Sequence, residues 1–278
     1  MSPPAFRRLV LTLGHGEAGP ATLRDAAELA RLLHLRLHCV LIEDEALFQL
    51  PALPFARELR LPTHEWRPLD AAGIAEDFAA MAEGLRRSLA LLGTRLGIAQ
   101  ALEVQRGDPE RCFDGLCAAG DIIVLAEDAA RRPRPHPAAR LHDAALRSPA
   151  SVLLLPPLGR VPANAPVAVL LTGPDDPSRA IATGIARASG TALLAVLAAG
   201  DPAELAPRAA ALGLPPARLF IRQSAGRDLT AIDAALGAAP SRLLVLDHSA
   251  WGADADDLPE ALARQRGAPV LIVETRAA

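Results

Sequence analysis

The chain has no lysine: all 29 of its basic residues are arginine. That excludes a P-loop lysine, a Schiff-base lysine and a kinase-type phosphate lysine. Cysteine is scarce as well. Cys39, Cys112 and Cys117 are odd in number and include no Cys-x-x-Cys pair, which argues against a disulfide framework or a structural zinc site and fits a reducing compartment. No apolar run approaches the roughly 20 residues needed to cross a bilayer, and residues 1–8 lack the apolar core and cleavage site of a secretory signal. A net charge of -3 with both signs interspersed gives no reason to expect nucleic acid or an anionic membrane surface as a partner. The expectation is a soluble, cytoplasmic protein with no membrane or nucleic-acid partner.

What is present is a fold written twice. An apolar run ending at a glycine opens each half, Leu9 to Gly14 in the first and Val167 to Gly173 in the second, and strands and helices then alternate. Val152 to Leu155 closes the first half and Val270 to Val273 the second. At 278 residues and 51% hydrophobic content the chain is long enough for two domains, each with its own core. The alanine, arginine, leucine and proline bias reads as the mark of a GC-rich genome.

In the first half, Leu23, Ala26, Ala27, Ala30 and Leu33 recur at helical spacing and predict a helix over 21–35, followed by a strand over 37–42. Ile181, Ile185 and Ala188 mark the matching helix, Gly190 its end, and 192–197 the matching strand. Third strands are expected at 101–105 and 219–222. The fourth, at 121–125 and 242–246, are continuous apolar runs of the kind buried on both faces of a parallel sheet. Alternation of this sort predicts a doubly wound α/β sheet in each half, with a proline-rich connector over 156–166. The first half carries about 35 extra residues between its second and third strands. Three of the eight aromatics, Phe48, Phe55 and Trp66, sit there with Leu47, Leu50 and Leu53, so the segment is expected to be ordered and packed, on its own domain or against a partner.

The tandem α/β unit, with Pro149-x-x-Val152-Leu153-Leu154-Leu155-Pro156 at its last strand, resembles the universal stress protein family. The resemblance implies two mostly parallel five-stranded sheet domains of the adenine nucleotide alpha hydrolase-like type, 1–157 with an insertion at about 44–80 and 166–278, paired as a pseudo-dimer through their last strands. In nucleotide-binding members an aspartate ends the first strand and contacts adenine, and a Gly-x2-Gly-x9-Gly-Ser/Thr loop after the fourth strand holds phosphate and ribose. Glycines let the backbone approach the phosphates. Here the aspartate position is Gly14 in the first half and Thr172 in the second. The first loop becomes Ala126-x2-Ala129-x9-Ala139-Arg140, and no glycine occurs between Gly120 and Gly159. The second loop region holds Asp247, Asp254, Asp256, Asp257 and Glu260, whose charges would repel a polyphosphate.

Gly14, His15 and Gly16, followed by Glu17, lie just past the first strand, where open parallel sheets bind ligands; they are a turn or a ligand loop, and Gly-x-Gly alone is no dinucleotide fingerprint. Arg131, Arg132, Arg134 and Arg140 alternate with prolines and are a solvated loop or a clasp for an anion. His34 and His38 have metal-like spacing but straddle a helix end and a strand start. Cys112 and Cys117 are read as buried structural thiols, and Asp175-Asp176 before Pro177 as a helix cap. Neither a Gly-x-Ser-x-Gly elbow nor a His-Glu-x-x-His motif occurs, and no general base accompanies the altered loop. The expectation is a non-enzymatic, stress-associated protein without cofactor, metal or bound ATP, acting by self-association or through a protein partner. The alternative is a nucleotide- or small-anion-binding module using Gly14, His15, Gly16, Arg131, Arg132 and Arg140.

Overall fold

A computed structural model of the chain describes residues 6–14, 19–60, 64–126, 145, 148–156, 162, 164–173, 175–211, 213–247 and 258–274. The first half contains β1 (Arg8–Leu13), α1 (Pro20–Leu33), β2 (Arg36–Asp44), α2 (Glu45–Gln49), β3 (Arg57–Arg60), β4 (Glu65–Pro68), α3 (Ala71–Leu96), β5 (Gln100–Gly107), α4 (Pro109–Leu116), β6 (Asp121–Ala126) and β7 (Ser151–Leu155). The second contains β8 (Val167–Leu171), α5 (Ser178–Ala188), β9 (Leu193–Leu197), α6 (Leu205–Ala211), β10 (Leu219–Gln223), α7 (Leu229–Leu236), β11 (Leu243–Asp247), α8 (Leu258–Arg266) and β12 (Val270–Val273).

Ten of these strands form one sheet in the order β10-β9-β8-β11-β12-β7-β6-β1-β2-β5. Read inward from either edge, each half runs third, second, first, fourth, fifth strand. In this sheet the pairings within each half are parallel. Its antiparallel pairing joins the halves, with Leu154 opposite Val270, Leu153 opposite Leu271 and Val152 opposite Ile272, while β3 and β4 form a separate antiparallel hairpin. The amide of Glu274 adds a bond to Ser151 Oγ at 3.2 Å. Apart from Ser151 both strands are apolar, and both are buried on both faces, so water cannot satisfy their backbone groups and each must find the other.

Because successive strand residues point to opposite faces, the sheet has two hydrophobic layers. Leu9, Leu11, Leu37, Val124, Leu153, Val169, Ala195, Val245 and Leu271 form one layer, covered by α1, α3, α5 and α6. Val10, Val40, Ile123, Val152, Leu170, Val196, Leu244 and Ile272 form the other, covered by α4, α7 and α8. Each layer runs through both halves instead of closing within one. Helices α1 and α5 touch across the seam, and Arg242 of the second half lies within the electrostatic reach of Arg31 and Glu28 on α1.

Local chemistry sets the helix limits. Asp70 caps α3 by accepting from the amides of Ala72 and Gly73, and Gly97 ends it in the left-handed conformation, φ 66°, which a residue without Cβ adopts at no cost. Phe78, Ala82, Leu85 and Leu89 share its buried face. Arg8 clamps the amino ends of β1 and β6: its guanidinium donates to both carboxylate oxygens of Asp121, at 3.1 and 2.9 Å, and to the Leu116 carbonyl at the end of α4.

The insertion divides between structure and surface. Between β2 and β5 lie 55 residues, against 21 between β9 and β10; the excess is the 26-residue α3 in place of the seven-residue α6 together with α2 and the β3–β4 hairpin. Packing holds for Leu47 and Phe48, the latter stacked on Phe78 with ring centroids 5.7 Å apart and covered by the Arg106 guanidinium at 4.0 Å. It fails for Leu50, Leu53, Phe55 and Trp66, which are exposed. The hairpin's two strands have no third strand to shelter them, which the apolar content of the segment did not foretell.

Leu153 and Leu271 face each other across the seam and are fully buried. Leu153→Ala and Leu271→Ala should each cost about 2–5 kcal/mol. In urea denaturation of the single and double variants the two losses should be non-additive by at least about 0.5 kcal/mol; strict additivity would show that the two side chains do not rely on each other.

Candidate functional site

In an open parallel sheet a ligand crevice opens at the carboxyl ends of the strands where the covering helices change face. This chain has two such points. Between β1 and β6, α1 lies on one face and α4 on the other, so Gly14 and Ala126 flank the first crevice. Between β8 and β11, α5 and α7 diverge in the same way, so Thr172, Gly173 and Asp247 flank the second.

The first crevice brings Gly14, with no side chain, and Ala126, with only a Cβ, to the strand ends. His15, Gly16, Ala129, Arg131, Arg132, Arg134, Ala139 and Arg140 lie outside the described residues, as do Asp254, Asp256 and Asp257 of the second half.

At the second point the protein's own polar groups hydrogen-bond one another. Asp176 is buried and its carboxylate is saturated. The backbone N–H and the hydroxyl of Thr172 both donate to Oδ2 at 2.9 Å, while the backbone N–H and hydroxyl of Ser178 donate to Oδ1 at 3.0 and 2.5 Å. The cap read from Asp175-Asp176 is thus made by Asp176 alone; Asp175 points outward to an ion pair with Arg208, which also meets Glu204 at 3.1 Å. Arg179, in the first turn of α5, keeps its Nε buried without a hydrogen-bond partner. Burial, and then the charge of Arg208, push its pKa down, against the opposing pull of Asp175 and Asp176. Asp247 closes β11 fully buried. The Thr172 hydroxyl proton and the Asp176 carboxylate are thus engaged within the protein's own network.

Other sequence candidates do not converge. His34 ends α1 in the left-handed conformation, whereas the ring of His38 meets Glu103 across β2 and β5 at 3.0 Å. The Gln105 side-chain amide and His38 hold Glu103 below the usual carboxylate range. This cross-strand group was not read from the sequence, since pairing β2 with β5 is what brings residues 38 and 103 together. Among the described residues no group of three His, Cys, Asp or Glu side chains is placed to hold a metal, and none of the helices is long and apolar enough to cross a membrane. The thiols divide: Cys39 is buried, but Cys112 and Cys117, expected to be buried, are only half-buried because α4 ends at Leu116 and lies over a sparsely covered edge. Burial pushes Cys39 up to about 12, far from the range of a nucleophilic thiolate. No protein-family model matches the chain, and no curated protein matches it.

Two outcomes follow from these environments. Asp176→Ala should destabilise the protein by about 2–4 kcal/mol, because it removes the cap and strands buried donors, and Asp176→Asn by less, because one oxygen acceptor survives; chemical denaturation measures both. The Cys39 thiol is neutral in the fold and its pKa lies above the unfolded value of 9.0. Its contribution is therefore intact below pH 9 and is lost as pH rises from there towards 12. Stability should fall by about 1.4 kcal/mol between pH 8 and pH 10 relative to Cys39→Ala; parallel pH profiles of the two proteins would contradict this.

Proposed function

We propose that the chain is a tandem member of the universal stress type, with units 1–157 and 166–278 arranged as a pseudo-dimer, acting in the cytoplasm without catalysis and without ATP, through association with itself or with a protein partner. The observation that carries this reading is the state of the second crevice, where Thr172 stands at the adenine-contacting position with both of its donors bound to Asp176. The first crevice supports it from the other side: Gly14 offers no hydrogen-bonding side chain, and Ala126 brings a Cβ where a glycine would allow close approach. The mirrored strand order about the β7–β12 seam supports the paired arrangement.

Replacing a buried hydrogen bond to a base costs on the order of 1–3 kcal/mol, and losing several phosphate contacts costs more. Calorimetry of the intact chain with ATP and magnesium should therefore show no binding tighter than about 100 μM. A low-micromolar dissociation constant would overturn the reading, and Arg140→Ala would then test whether that guanidinium replaces the missing Ser/Thr contact.

A further inference from the structure

We propose that two copies of the chain associate face to face through the apolar side of the β3–β4 hairpin and the turn that precedes it. This names the partner in the association reading above and rests on it.

The hairpin is amphipathic by register. Leu59 stands opposite Trp66, and Glu58 opposite Arg67; since neighbouring residues alternate in face, the Leu59–Trp66 pair lies on one side and the charged pair on the other. Its apolar side chains are open to water: Trp66 is 58% and Phe55 76% exposed, with Leu50, Leu53 and Leu59 also exposed, and Glu65 and Arg67 on the charged side are exposed as well. In a chain with only eight aromatics, two left in water on one short segment are costly unless something covers them. A two-stranded hairpin standing alone is marginal in water. This one is held by ladder bonds and by an Arg57 to Trp66 carbonyl bond of 3.3 Å, and among the described residues neither Leu59 nor Trp66 joins either hydrophobic layer.

Area and charge select the occupant. The exposed parts of these five side chains amount to roughly 500 Å², taking about 200 Å² for a whole aromatic side chain and somewhat less for a leucine. A stable dimer of standard size buries about 800 Å² per partner, of which about 60% is apolar, so the patch is what one half of such an interface needs. In a two-fold contact the same surface meets itself, and a patch of one sign would repel its copy. Residues 50–70 carry three arginines and three acids, which balances the patch and favours neither an acidic nor a basic partner. Extension of the sheet from β5 is a poorer route, because Glu103 and Arg106 put charge along that edge and Arg106 is tied to Glu43 at 2.8 Å.

The test is the mass in solution of the full chain, by light scattering and sedimentation from about 1 to about 100 μM. We expect about 58 kDa, twice the 29.1 kDa of one chain, reverting to one chain in Phe55→Ser/Trp66→Ser with unchanged far-ultraviolet circular dichroism. Phe220→Ser, at the exposed opposite edge, should leave the dimer intact. In a Trp251→Phe background Trp66 is the sole tryptophan, and its emission should shift to the blue as the protein is concentrated. A monomer throughout, a dimer that survives the double substitution, or a Trp66 shift produced by phosphatidylcholine vesicles and not by concentration would overturn the proposal. Tight ATP binding with the dimer unaffected would instead remove the functional reading and leave this interface standing.

Discussion

Everything else in this structure depends on the antiparallel pairing of β7 with β12. Two strands that are apolar on both faces cannot end a sheet in water, since their unpaired amides and carbonyls would be buried by the helices around them or exposed as an aggregating edge. Joining them turns two five-stranded sheets into one of ten, and with it two sets of hydrophobic side chains into two continuous layers. The cost of separating the halves is then not one of undocking polar surfaces but of opening a core.

That constraint also decides where the open edges fall. With the fifth strands consumed at the seam, the edges are β5 and β10, and both carry the mixed exposure that central strands lack. Both faces of β5 carry charge: Glu103 meets His38 on one and Arg106 meets Glu43 on the other. The extra segment of the first half packs at this edge through Phe48, while the hairpin beyond it presents its apolar side outward. The same seam keeps the two strand-end crevices apart, one on each side of it, so each must be judged on its own side chains.

The side chains at the two strand-end positions differ between the halves. The first presents a glycine and an alanine, Gly14 and Ala126. In the second, Thr172, Asp176 and Ser178 hydrogen-bond one another. Arg179 lies beside them with its Nε buried, where burial and the charge of Arg208 push its pKa down against the pull of Asp175 and Asp176.

The sequence by itself determined the periodic elements and their order. Apolar runs such as 122–125 point to central strands, and the spacing of Leu23, Ala26, Ala27 and Ala30 to the buried stripe of a helix, because both patterns are local and each is repeated along the element. It also shows a stretch without glycine between Gly120 and Gly159, which needs no structure to be counted. Only the tertiary structure decided which residues far apart in the chain would meet: His38 with Glu103, Arg8 with Asp121, Leu153 with Leu271. It alone decided the fate of the aromatics in the insertion, where Phe48 found Phe78 on α3 while Phe55 and Trp66 stayed largely exposed. Local pattern fixes what a residue prefers to bury, but whether there is a surface to bury it against depends on the whole sheet, and so on a pairing between strands more than a hundred residues apart.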